Sequence, residues 1–64
     1  MTNLDHILTH IEASAPCTLF SVAVWADSQL SINAVTFTGI IDMLILSDSI
    51  EINTENNALI VDLI

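Results

Sequence analysis

The C-terminal segment, residues 50–63, largely alternates apolar and polar side chains on either side of two adjacent asparagines. Such alternation is typical of strands with one buried face, and asparagines tolerate the positive φ angles of a tight two-residue turn. We therefore predict an antiparallel β-hairpin with Asn56 and Asn57 in its loop. The resulting register pairs Glu55 with Ala58, Asn53 with Ile60, and Glu51 with Asp62.

This register assigns each side chain of the hairpin to one of two faces, because successive side chains of a strand point to opposite sides. The buried face carries Ile50, Ile52, Leu59, Val61 and Leu63, and the outer face carries Glu51, Asn53, Glu55, Ala58, Ile60 and Asp62. Glu51 therefore lies directly opposite Asp62. Like charges in that position destabilise a strand pair, so folding alone does not favour the arrangement.

The N-terminal region has the spacing of an amphipathic helix. Apolar residues recur at the i, i+3, i+4 and i+7 positions, namely Leu4, Ile7, Leu8 and Ile11. Thr2 followed by Asp5 matches a capping box with aspartate in place of glutamate, and Pro16 cannot continue a helix. These features predict a helix over residues 3–14.

Residues 17–26 are compatible with either a strand or a helix. Their composition is typical of strands, but some of them also fit one helical face, namely Leu19, Val22, Ala23 and Ala26. The interpretation that we favour is a short extended piece at residues 17–18, a helix after it, and an exit turn at residues 27–29.

A third helix is predicted after Ser31 or Asn33, since either side chain can cap its first turn. Its core stripe consists of Phe37, Ile40, Ile41 and Leu44, and it should end near residues 46–48. Gly39 inside this helix costs about 1 kcal/mol relative to alanine, and close packing would explain its presence.

Three helices followed by a β-hairpin is the order of elements in a winged-helix domain, so we expect a single α+β domain over residues 1–64. The last half of the chain also resembles a known family. The matching motifs are Val35-Thr36-Phe37, Ile40-Ile41-Asp42-Met43-Leu44 and, after a polar break, Ile50-Glu51-Ile52. They are similar to the winged-helix end of the kleisin subunits of chromosome-condensing complexes, and to small winged-helix subunits of related ATPase-based defence systems. The resemblance covers residues 32–63 and implies a subunit that assembles with a protein partner, although the family's usual basic residues are absent.

Charge excludes several classes of partner. The chain contains no lysine or arginine against eight aspartates and glutamates, which gives a formal net charge of -8. Nucleic-acid binding depends largely on cationic side chains that neutralise phosphates, and anionic membrane surfaces attract proteins in the same way. We therefore expect neither direct nucleic-acid binding nor membrane binding. The hydrophobic fraction of 53% is too high for a disordered acidic tail.

The small size of the chain indicates a partner or self-association. A domain of about 60 residues buries only about 60% of its unfolded surface and is marginally stable. Cys17 is the only cysteine, so no internal disulfide can add stability. A lone cysteine, without a secretory signal or an apolar run long enough to span a membrane, is typical of the reducing cytosol, and we expect a cytoplasmic protein.

No arrangement of residues indicates an enzyme, and we expect no catalysis, metal or cofactor. His6 and His10 lie on one helical face and could bind zinc with further ligands, but two solvated surface histidines are the favoured interpretation. Cys17 lacks a cationic neighbour in the sequence and is expected to be buried and structural. Phe20 and Trp25 are expected to pack in the core, and an exposed one would indicate a protein interface.

The acidic residues are the best candidates for a binding site. Five of the eight lie in the last third of the chain, and we predict these as partner contacts: Glu51, Glu55, Asp62, Asp42 and Asp48. Carboxylates two apart on a strand are separated by about 6.7 Å and can present a phosphate-like line to a basic groove. Charge of one sign also attracts a cationic partner over a long range.

In size, charge and cytosolic character the chain resembles small phage-encoded anti-defence proteins, including anti-CRISPR proteins that mimic DNA. The resemblance implies an inhibitor that presents a DNA-like negative surface to a basic nucleic-acid-binding protein in the host cytoplasm. The DNA- or PAM-reading surface of a CRISPR effector is the implied target. The alternative is a winged-helix assembly subunit or homodimer that docks through exposed apolar residues, for which Ile60, Ile64 and Trp25 are the candidates.

Overall fold

A computed structural model describes residues 1–64 and contains three helices and a three-stranded antiparallel sheet. In chain order the elements are α1 (Asn3–Ser14), β1 (Cys17–Thr18), α2 (Leu19–Leu30), α3 (Ala34–Leu46), β2 (Ile50–Glu55) and β3 (Ala58–Leu63). This order confirms the predicted α+β class, with three helices followed by a C-terminal β-hairpin as in winged-helix domains. The short extended piece predicted at residues 17–18 is also confirmed, and a helix follows it at once.

The hairpin has the predicted register: Glu51 pairs with Asp62, Asn53 with Ile60, and Glu55 with Ala58. Asn56 and Asn57 form its loop with φ angles of 51° and 64°, the left-handed region that asparagine tolerates better than most residues. The strand β1 pairs with the other side of β3, so β3 is central in the order β1-β3-β2. The two residue pairs are Cys17 with Val61 and Thr18 with Ile60.

The face of the hairpin that points to the helices is less completely buried than predicted. Ile50 and Val61 are fully buried, and Ile52 is half-buried. Leu59 and Leu63 on the same face are 49% and 39% exposed. Both lie near an end of β3, where side-chain alternation alone overstates burial.

The first two helices begin with side-chain caps. In α1 the Thr2 hydroxyl oxygen accepts from the Asp5 amide at 3.2 Å, and the Asp5 carboxylate accepts from the Thr2 amide at 3.2 Å. The predicted capping box is therefore confirmed. In α2 the Thr18 hydroxyl oxygen accepts from the Ser21 amide at 3.1 Å, which fixes the change from strand to helix at this residue.

The exit turn predicted at residues 27–29 is wrong. The helix α2 continues through these residues, and Ser31 ends it in a left-handed conformation with a φ of 55°. The Ser31 amide donates to the Asp27 carbonyl at 3.2 Å, which satisfies one of the last carbonyls of the helix. Of the two caps considered for α3, Asn33 is correct, because its Oδ1 accepts from the Thr36 amide at 2.9 Å.

Nine apolar side chains form the core, and no polar or charged side chain is buried. They come from all three helices and from the hairpin: Ile7, Ile11, Val22, Ala26, Phe37, Ile41, Leu44, Ile50 and Val61. The predicted stripe of α3 is confirmed at Phe37, Ile41 and Leu44, while Ile40 is half-buried at its edge. The core therefore lies between the helices and one face of the sheet.

The chain is compact, with a Cα radius of gyration of 10.7 Å. No single helix is long and apolar enough to span a bilayer. Together, α2 and α3 have the length and apolar composition of a membrane span, but the two helices are bent by 120° relative to each other.

The capping box of α1 leads to a prediction about stability. Thr2→Ala removes the hydroxyl that accepts from the Asp5 amide, so we expect the free energy of unfolding to fall by about 1 kcal/mol. Thr9→Ala makes the same chemical change at an exposed position inside α1 and is the matched control. Denaturant unfolding of both variants measures the difference, and an equal loss in the two would contradict the assigned cap.

The same box gives this prediction a pH dependence. Hydrogen bonds from the backbone amide and the hydroxyl of Thr2 hold the pKa of Asp5 below its ordinary value of 3.8. Because the folded-state pKa lies below that of the unfolded chain, the stabilisation is complete above the ordinary value and is lost as the pH falls through the lowered one. An NMR titration should show the Asp5 pKa rising toward 3.8 in Thr2→Ala. The backbone amide of residue 2 is kept in this variant, so only part of the lowering should be lost. An unchanged pKa would show that the Thr2 hydroxyl does not contribute to it.

Candidate functional site

Three carboxylates share the face of the hairpin that points away from the helices. Glu51 lies directly opposite Asp62, and Glu55 lies on the same face opposite Ala58. Strand alternation places them there, because Ile50 and the other core-facing residues occupy the intervening positions. Glu51 and Glu55 are exposed, and Asp62 is half-buried. We call the surface formed by Glu51, Glu55 and Asp62 the acidic sheet face.

Only neutral groups donate to the carboxylates of the acidic sheet face. The Asn53 side-chain amide donates to Glu51 Oε1 at 3.4 Å. The Leu63 backbone amide donates to Asp62 Oδ1 at 2.8 Å. The chain has no lysine or arginine that could neutralise either group. Glu51 and Glu55, four residues apart on one strand, lie about 13 Å apart along the strand, so the face presents spaced and unneutralised negative charge.

The other two predicted partner contacts lie on different parts of the surface. Asp42 is exposed on α3, on the side opposite the core residues Phe37, Ile41 and Leu44. Because the core lies between α3 and the sheet, Asp42 and the acidic sheet face point in different directions. Asp48 is exposed in the turn between α3 and β2, where its φ is 58°. The structure thus brings together only Glu51, Glu55 and Asp62 of the five.

The two histidines of α1 are not on a fully solvated face. His6 and His10 are both half-buried, and the His10 ring stacks on Trp25 with ring centroids 4.0 Å apart and planes 10° apart. Trp25 is half-buried and packs against the core, in line with its expected role. No three histidine, cysteine, aspartate or glutamate side chains come close enough together to hold a metal ion. His10 therefore takes part in aromatic packing with Trp25.

Cys17 is half-buried at the start of the sheet. Burial raises the pKa of its thiol; the hydrogen bond with Ser21 acts in the opposite direction, and the negative charge of Asp62 raises the pKa further. The reactive form of cysteine is the thiolate, which these surroundings disfavour. Cys17 therefore suits the structural role expected from the sequence, because its side chain packs against the core.

Phe20 corrects the expectation that both large aromatic residues lie in the core. It is 78% exposed at the start of α2. The sequence carried a signal for this, because the helical face formed by Leu19, Val22, Ala23 and Ala26 excludes position 20. Phe20 lines a groove of about 770 Å³ between α2, the start of α3 and the hairpin loop. Leu59 lines the same groove. Asp27 is the only titratable residue of the groove, so no acid–base pair is available there.

The apolar residues named for the alternative function are exposed to different degrees. Ile64 is 70% exposed at the C-terminus. Ile60 is half-buried on the outer face, where Thr18 is its neighbour across the strand pair, and Trp25 is half-buried against His10. Only Ile64 of the three presents a largely free side chain.

Comparison with models of protein families, with curated protein sequences and with solved structures finds no match to this chain. The resemblances to kleisin-type winged-helix domains and to anti-CRISPR proteins stay predictions from the sequence.

The cross-strand pair of carboxylates predicts a gain in stability on neutralisation. Glu51→Gln removes the like charge opposite Asp62, so we expect the free energy of unfolding to rise by about 0.5 kcal/mol at low salt, and less at high salt. Glu55→Gln is the matched control, because it removes the same charge from the same strand opposite a neutral alanine. Equal effects in the two variants would show that net charge alone is responsible, and would remove the argument for local repulsion.

Proposed function

We propose that this protein is a small inhibitor that binds another protein and blocks its nucleic-acid-binding site. The acidic sheet face occupies a basic surface that would otherwise hold DNA, as in anti-CRISPR proteins that prevent target DNA or PAM recognition. Inhibition is by occupancy in the cytoplasm, without a chemical step, metal or cofactor.

The observation that carries this proposal is the pair formed by Glu51 and Asp62. Two carboxylates stand opposite each other in the hairpin, and the chain contains no cation that could compensate them. Such a pair opposes folding, so a role outside the folded chain explains its presence better than stability does. Lysine and arginine side chains on a partner supply the missing positive charge.

Nucleic acid itself is a poor ligand for this fold. The exposed side of α3 carries Asp42 and no cationic residue, and the chain as a whole has a formal net charge of -8. Phosphates would be repelled, since affinity for nucleic acid comes largely from the release of counterions by lysine and arginine. The same charge accelerates encounter with a basic protein, and salt weakens that attraction.

The test uses purified CRISPR effector complexes and a labelled duplex that contains their target sequence. The protein should reduce binding of the duplex, with weaker inhibition as salt increases and with recovery at higher duplex concentration. The double variant Glu51→Gln/Asp62→Asn should lose inhibition by about tenfold or more, because it removes both paired charges from the acidic sheet face.

The matched control is Glu12→Gln/Asp27→Asn, which removes two charges from exposed positions on α1 and α2. Its net charge equals that of the test variant, and it should retain most of the inhibition because it leaves the acidic sheet face unchanged. If both double variants lose inhibition equally, net charge is responsible and the acidic sheet face has no specific role. If the protein leaves duplex binding unchanged for every effector, the CRISPR target is wrong.

A second candidate function is assembly of a winged-helix subunit with a partner ATPase or a second copy. The exposed side chain of Ile64 favours it, because the residue follows β3 directly and is 70% exposed. Size-exclusion chromatography should then show a complex that persists at high salt and that Ile64→Asp dissociates. Inhibition of duplex binding should remain in this variant. Ile60 is unsuitable for this test, since it is half-buried and its replacement would disturb the sheet.

A further inference from the structure

The helix α3 is apolar over most of its circumference, and its polar residues are Thr36, Thr38 and Asp42. Asp42 is its only charged residue, yet only Phe37, Ile41 and Leu44 are buried in the core. The apolar sides of a helix are normally covered. One side of α3 therefore lacks the covering that its composition calls for.

Five of the exposed residues of α3 lie on one stripe, and the other exposed residues, Ala34, Thr36, Thr38 and Ile45, lie beside it. We call this stripe the outer face of α3, and it consists of Val35, Gly39, Asp42, Met43 and Leu46. These positions follow the three- and four-residue spacing that places side chains on one side of a helix. Val35 and Leu46 are 83% and 84% exposed, and Met43 is 59% exposed. Exposed apolar side chains gathered on one side of a helix are a common feature of interaction sites.

Gly39 lies in the middle of this stripe, and nothing inside the chain requires a glycine there. Its backbone does not have a positive φ, and an added Cβ would meet no atom within 4 Å. A glycine in a helix interior is less favourable than alanine, so the residue weakens α3 without any gain in internal packing. The close packing expected for Gly39 from the sequence is therefore not with another part of this chain. Close approach of an external backbone would explain it.

The charge of the chain indicates which kind of partner binds to the outer face of α3. A second copy would add another formal charge of -8 to the same complex, and an anionic lipid surface would be repelled for the same reason. A cationic partner is attracted by the same field. Its apolar part would cover Val35, Met43 and Leu46, and its cations would lie beside Asp42.

We propose that the outer face of α3 binds an amphipathic helix of another protein that carries lysine or arginine on its polar side. The partner's apolar stripe packs on Val35, Met43 and Leu46, and its backbone approaches closest at Gly39. This site goes beyond the function proposed above, because it lies on a different surface from Glu51, Glu55 and Asp62.

The probe is a designed helical peptide of about 18 residues, with leucines at the i, i+3, i+4 and i+7 positions and lysines elsewhere. A peptide of the same pattern with glutamate in place of lysine tests the charge, and a scrambled leucine–lysine peptide tests the apolar stripe. We expect the patterned leucine–lysine peptide to bind most tightly in calorimetry. Its NMR amide shifts should be confined to α3 and centred on Gly39.

Two variants of the protein separate binding from folding. Val35→Gln/Leu46→Gln should weaken peptide binding by about tenfold or more without changing the thermal unfolding midpoint, because both side chains are more than 80% exposed. Gly39→Ala should raise the unfolding midpoint and still weaken binding. A purely structural role for Gly39 would not separate the two measurements in this way.

Several outcomes would overturn the proposal. They are no binding of the leucine–lysine peptide, equal binding of the glutamate or scrambled peptide, and binding that Val35→Gln/Leu46→Gln leaves intact. Loss of peptide binding in Glu51→Gln/Asp62→Asn, with amide shifts on the hairpin, would assign the peptide to the acidic sheet face. If sedimentation detects a dimer and Val35→Gln/Leu46→Gln dissociates it, a second copy of the chain binds to this face. Binding of the outer face of α3 to neutral phosphatidylcholine vesicles would show that its ligand is a lipid surface.

Discussion

The lack of any lysine or arginine is the constraint on which the rest of this structure depends. No ion pair with such a residue can form, so helices and sheet are held by apolar burial, backbone hydrogen bonds and helix caps. The nine core residues supply the burial, and Thr2, Thr18 and Asn33 supply the caps. The eight acidic side chains are excluded from the core and repel one another at the surface, so charge acts against this fold.

The molecule has two kinds of exposed surface, one acidic and one apolar. The acidic sheet face concentrates Glu51, Glu55 and Asp62, two of them directly opposed. The outer face of α3 is apolar, with Asp42 as its only charge. A basic protein complements both surfaces, because it offers cations to the first and an amphipathic helix to the second. The two proposals therefore agree on the charge of the partner while using separate residues.

Local signals predicted most of the fold. The adjacent Asn56 and Asn57 set the hairpin register, and the spacing from Thr2 to Asp5 placed the start of α1. The pairing of β1 was harder to predict, because this strand has only two residues and its partner β3 is distant in sequence. The turn expected at residues 27–29 failed because Ser31, not a glycine or proline, ends α2. For the site, strand alternation placed Glu51, Glu55 and Asp62 on one face. The predicted core stripe of α3 already turned Asp42 away from the core, and only the packing of α3 on the sheet shows that it points away from the acidic sheet face.

The free energy of unfolding as a function of sodium chloride concentration tests this account most directly. The Debye length is about 30 Å at 0.01 M and about 10 Å at 0.1 M. At the lower concentration, repulsion therefore extends across the whole molecule, whose longest dimension is 29 Å. If charge repulsion opposes this fold, the free energy of unfolding rises steeply between these concentrations and levels off above them. A free energy of unfolding that stays constant or falls over the same range would contradict this account.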